Sequence, residues 1–171
     1  MTKTKAWLAI SHHSAFRCGG WAYVTTGGGA FSGAVGGERR VAGPRTAMLA
    51  VEALLRSLAK SGEAGVGVSL HIADPELLRL MGALAAPGTR PAGDASAAQE
   101  IYRGEDAALW TRLGEARTRS GLSVVPLLPP AGRIEDFIAA WAETARDKAK
   151  ATGGFAATIP KVNFARLKDV T

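Results

Sequence analysis

The chain has 171 residues, 47% hydrophobic and 21% charged, with 21 Lys plus Arg against 15 Asp plus Glu and a formal net charge of +6. That length suits one hydrophobic core, and no shift in composition divides it into two comparable halves. The longest apolar runs are too short and too interrupted to cross a bilayer, which excludes a membrane-embedded class and predicts a soluble domain.

The basic excess permits a polyanionic partner such as nucleic acid and equally fits a solvated basic surface. A single cysteine, Cys18, forms no internal disulfide, which suits a reducing compartment. No base stands near it in sequence, so a packed thiol is expected rather than a nucleophile. The opening MTKTKAWLAIS has two lysines but only a brief apolar segment, and His12 and His13 follow where a cleavage site would be needed. No signal peptide is expected, and the chain reads as cytoplasmic.

Residues 6–11 (AWLAIS) predict a first strand. Residues 20–26 and 30–36 predict a hairpin around Gly27, Gly28 and Gly29, since aromatic and β-branched residues flank glycines free to take positive φ. Over residues 44–60, Met48, Val51, Leu54, Leu55 and Leu58 recur at helical spacing, with Glu52, Arg56 and Lys60 on the opposite face. Pro44 suits that helix's first turn, and SGEAG (61–65) stops it. Residues 66–73 (VGVSLHIA) read as a fourth strand inside a sheet. Helices are predicted over 74–86, 105–117 and 133–151, a fifth strand over 121–128, and a loop over 87–99. This divides the chain into a domain over residues 1–151 and a tail over 152–171.

The resulting order, β-β-β-α-β-α-α-β-α, resembles the ribonuclease H-like family over nearly the whole chain before the tail. GGWAYV with the following FSG is similar to that family's second and third strands, PRTAMLAVEALLRSL to its central helix, and ALWTRL (108–113) to the segment leading to its last strand. The resemblance implies an α/β fold: a five-stranded mixed sheet with helices on both faces. It also implies the family's activity, cleavage of the RNA strand of an RNA/DNA hybrid by two Mg²⁺ ions on four carboxylates. Each ion stabilises one oxygen of an in-line displacement, and Mg²⁺ requires hard oxygen ligands.

The four positions the resemblance implies are poorly filled. Ser11 or His12 stands where the first strand ends in an aspartate, and Ala47 stands in the place of the central helix's glutamate. Glu52, five residues on, lies about 140° around the helix and cannot substitute. Asp74 is close to the third position, although Ala73 fits it better in some alignments and an N-cap explains Asp74 without a metal. Glu143 could serve as the fourth, with Trp141 an equally good match. His12 and His13 could suggest Zn²⁺, but they point to opposite sides of an extended strand, His71 is the only other histidine, and no Cys/His cluster completes a site. No metal site is therefore predicted, and no cofactor is expected unless the nuclease reading holds, in which case it is Mg²⁺.

Gly27, Gly28 and Gly29 are a turn rather than a phosphate loop, because no helix and no Gly-Lys-Ser/Thr follows. The four tryptophans sit at apolar positions and read as core, Trp21 being the least clear of them. Arg39, Arg40 and Arg45 flank the loop into the central helix, near where the family's hybrid-binding groove runs, and are the candidate phosphate contacts. The leading expectation is a non-catalytic ribonuclease H-like domain that binds duplex or RNA/DNA hybrid through a basic face. The alternatives are a protein-interaction module on the same scaffold and an active hybrid ribonuclease with displaced carboxylates.

Overall fold

A computed structural model of the chain describes residues 3–63, 67–84, 95–128 and 132–168. Strands β1 (Lys5–His13), β2 (Cys18–Gly27) and β3 (Ala30–Arg39) form an antiparallel meander. Gly28 and Gly29, at φ 61° and 81°, make the two-residue turn between β2 and β3, a conformation that matches the twist of the flanking strands. Helix α1 (Gly43–Lys60) then crosses to β4 (Ser69–Ile72), which joins β1 in parallel. Helices α2 (Pro75–Ala83), α3 (Ala95–Glu105) and α4 (Ala107–Ser120) lead to β5 (Ser123–Pro126), parallel to β4. Helix α5 (Arg133–Thr152), β6 (Phe155–Thr158) and a 3-10 turn (Lys161–Leu167) complete the described chain.

The result is an α/β fold whose mixed sheet has six strands in the order β5-β4-β1-β2-β3-β6. The sixth strand corrects the expectation of five, and it comes from the segment read as a tail. β6 pairs antiparallel with β3, Val35 opposite Ala157 and Gly37 opposite Phe155. A further correction is α3, which occupies part of the stretch read as loop; residues 87–94 of that stretch lie outside the described residues.

Period-two alternation along β1 and β2 sorts side chains between two cores. Ala6, Leu8, Trp21 and Tyr23 join Met48, Val51, Leu54, Leu55 and Leu58 of α1, with α2, α3 and α4 packed outside. Burying each such aliphatic side chain contributes roughly 1.5–3 kcal/mol, which is what fixes α1 across the sheet. On the other face Trp7, Ala22, Val24 and Val35 meet Ile134, Ile138, Ala142 and Ala145 of α5, together with Phe164 and Leu167. Helix α5 lies unusually close here: a Cβ at Gly20 would come within 2.3 Å of the Ala142 carbonyl oxygen and the Arg146 amide nitrogen, and one at Gly37 within 2.8 Å of the Ala145 carbonyl oxygen. The glycines of the hairpin thus set the seat of α5. No described helix is long and apolar enough to cross a membrane.

Candidate nucleic-acid interface

One end of the sheet gathers the end of β1, the start of β2, the end of β3 and the entry to α1. His13 lies opposite Cys18, Cys18 opposite Arg39, and the Val41 amide donates to the Arg17 carbonyl at 2.9 Å. Alternation sends the last β1 side chains to opposite faces. Ser11 turns towards α5, where Arg146 Nη1 donates to its hydroxyl at 2.9 Å. His12 turns towards α1, and its Nε2–H donates to the Val41 carbonyl at 2.8 Å, beside Gly43. Cys18 is buried and unbridged.

Around this corner stand Arg17, Arg39, Arg40, Arg45, Arg146 and Lys150. Arg17, Arg39, Arg40 and Lys150 are exposed, and among the described residues no carboxylate lies within ion-pair distance of any of them. Arg17 and Arg40 hold left-handed backbone, φ 47° and 55°, which glycine or asparagine adopts more readily. The left-handed region disfavours a residue with a Cβ by roughly 1–2 kcal/mol, yet arginine occupies both places. Lys150 Nζ sits 3.4 Å from the centre of the Phe16 ring, and Phe16 leans on His13 at 4.7 Å. Arg45 differs from its neighbours. It bonds Asp106, the N-cap of α4, and reaches Glu38 at 3.8 Å, so it ties the first turn of α1 to α4. Asp106 sits below the usual carboxylate range because the Leu109 amide and then Arg45 stabilise its charge.

The positions where the resemblance placed carboxylates do not form a Mg²⁺ site. The Ser11 hydroxyl accepts from the Arg146 guanidinium, which is also paired with Asp147, and offers no carboxylate oxygen to a metal. Ala47 is wholly buried in the α1 core and offers no ligand. Asp74 is the N-cap of α2: its Oδ1 accepts from the Leu77 amide at 3.0 Å. Burial is the main cause that raises the Asp74 carboxyl above its ordinary value, against the opposing pull of the Leu77 and Glu76 amides. Glu143 is exposed on α5; the Arg146 guanidinium is held above its ordinary value first by its hydrogen bond to Asp147, with Glu143 a smaller contributor. Trp141 is half-buried beside Phe137. Among the described residues no group of three or more His, Cys, Asp or Glu is arranged to hold a metal ion. The residues present therefore do not fit a two-metal centre.

Of the three arginines named from the sequence, Arg39 and Arg40 stand at this corner unpaired among the described residues and Arg45 is tied to Asp106; Arg17, Arg146, Lys150 and Phe16, which the fold brings beside them, were not named. Arg146 in particular reads as solvent-facing if Ile134, Ile138 and Trp141 define the buried stripe of α5. It is turned inwards because the buried stripe continues through Ala142, Ala145 and Ala149, small residues that the close seat on Gly20 and Gly37 demands. Arg146 and Lys150, four apart, then share the face that meets the β1 end.

Trp21 is buried and stacked near Tyr23, on the floor of a groove of about 610 Å³ between α1 and the β3–β6 edge. Arg56 and Lys60 stand on its rim. This groove runs up to Gly37 and Glu38 at the end of β3, and its floor of Trp21 and Tyr23 is core. Comparison with known proteins finds no matching family model and no matching curated sequence.

Proposed function

We propose that this chain is a non-catalytic ribonuclease H-like domain that binds nucleic acid through the basic corner at the ends of β1 and β3. The Arg146–Ser11 hydrogen bond carries the reading, because it seats a guanidinium, itself paired with Asp147, where the family's chemistry calls for a carboxylate. The attraction for phosphate then comes from the arginines around it that are unpaired among the described residues. Arg17, Arg39 and Arg40 supply unopposed guanidinium groups, and the fork geometry of arginine suits phosphate oxygens. Such contacts hold the backbone without reading bases, so affinity without sequence preference is the expected behaviour.

A second reading, a protein-interaction module, has one observation in its favour. β6 is an edge strand whose Ala156, Ala157 and Thr158 are exposed, and it carries no charged residue or proline to discourage strand addition. The deciding experiment uses a labelled RNA/DNA hybrid with the purified chain at low salt. The proposal expects binding, with no cleavage above a buffer blank in Mg²⁺ or Mn²⁺. Cleavage abolished by Asp74→Asn or Glu143→Gln would establish the nuclease reading instead, and absence of binding both to the hybrid and to a single strand would leave the interaction module as the better account.

A further inference from the structure

Phe16 stands in the β1–β2 connection, 56% exposed, with Arg17 next to it in the chain and Lys150 over its ring. A phenylalanine in that position exposes apolar area without any gain to the core, and nothing in the packing of the sheet requires it. Its ring is faced by Lys150 and tilted at 50° against His13, so the contacts that orient it are polar-tipped side chains rather than core residues. We propose that Phe16 is a stacking platform for an unpaired base, so that the corner takes single-stranded nucleic acid in preference to a closed duplex. The inference rests on the nucleic-acid reading above and narrows it to one class of ligand.

The chemistry follows from the arrangement. An aromatic face flanked by cations is the recurring design for binding a single strand, since every base offers a π-face while the cations track its phosphates. Lys150 now holds the ring by a cation–π contact, which a base can replace as the flexible ammonium moves to a neighbouring phosphate. Arg17, the next residue, and Arg39 and Arg40, across the Val41–Arg17 hydrogen bond, are placed to contact flanking phosphates. In a closed duplex the bases are stacked on one another, and the ring reaches no base face. A lipid surface fits less well, because among the described residues Phe16 is the only large apolar side chain exposed at this corner and gives little area to bury.

The test compares a labelled oligothymidine strand of about twelve nucleotides, within the range such sites cover, with a blunt duplex of equal length. Fluorescence anisotropy is measured at low salt for the wild type, Phe16→Ala and Phe16→Tyr. Phe16→Ala is expected to weaken single-strand binding about 5- to 150-fold, the range spanned by removing one base-stacking side chain. Duplex binding should be unchanged, Phe16→Tyr should retain single-strand affinity, and the thermal midpoint should not move because the ring is exposed. The salt dependence of Phe16→Ala should match the wild type, since every cation that meets a phosphate is still in place. If the duplex binds and Phe16→Ala changes neither probe, or weakens both equally, the stacking inference is wrong while the nucleic-acid reading stands. If the wild type binds neither probe, both fall together.

Discussion

His71 sits in β4 with its ring stacked 5.2 Å from Trp7 and its Nε2 buried without a hydrogen-bond partner among the described residues. Burial is the main cause that lowers its pKa below the ordinary 6.5; Lys5 pulls the same way and Glu135 opposes them. The unfolded chain therefore takes up a proton near pH 6.5 that the native state resists. Stability from this source is present above that pH and falls as pH drops towards the lowered native value. Asp74 works in the opposite direction, because its raised carboxyl binds a proton more readily in the folded state. Comparing His71→Phe, which keeps a ring against Trp7, with the wild type isolates the histidine. The urea midpoint of the wild type should fall between about pH 7.5 and pH 5.5 more than that of His71→Phe. Equal falls in the two proteins would mean that His71 is not held neutral by the fold.

At the level of elements, Asp74 separates a structural account from a catalytic one. As the N-cap of α2 it accepts from the Leu77 amide, a task asparagine performs as well as aspartate. Asp74→Ala should lower stability by about 0.5–2 kcal/mol while Asp74→Asn stays close to the wild type, as read from urea unfolding. Asparagine as damaging as alanine would contradict the capping role. This cap was legible from Asp-Pro-Glu alone, as α1 was from its stripe of Met48, Val51, Leu54, Leu55 and Leu58, because each signal lies within a few residues. Helix α3 was not, because among the described residues only Ala98 and Tyr102 mark its buried side and a run of glycine and proline precedes it. β6 was hidden for a different reason: FAAT has no alternation and little strand propensity, and its pairing with β3 alone makes it a strand. The site divides in the same way. Arg39 and Arg40 were visible as cations flanking the loop into the predicted central helix. The Arg146–Ser11 contact joins residues 135 apart, and Arg45–Asp106 joins residues 61 apart, so neither could be read before the fold brought them together.

Across the whole molecule, the +6 net charge says little until it is placed. Arg45, Arg56, Arg79, Arg112 and Arg146 are each answered by a carboxylate; of the exposed cations without one among the described residues, Arg17, Arg39, Arg40 and Lys150 share one corner, while others such as Lys60, Arg103 and Arg119 stand on the helices. A localised site and a diffuse basic surface then differ in how binding responds to salt. Counterion release makes log affinity fall linearly with log salt, and each neutralised phosphate contributes about 0.9 to the slope on B-DNA. The most direct measurement is the salt dependence of binding to a blunt duplex for the wild type, an Arg17→Gln/Arg39→Gln/Arg40→Gln variant and a Lys60→Gln/Arg103→Gln/Arg119→Gln variant of equal charge. Lys60, Arg103 and Arg119 are exposed on α1, α3 and α4. The account predicts that the corner variant binds more weakly and with a slope flatter by about 0.9 for each phosphate no longer neutralised, while the other variant keeps the wild-type slope. Equal flattening in both variants would contradict it and show that the charge acts diffusely, with no interface at the β1–β3 corner.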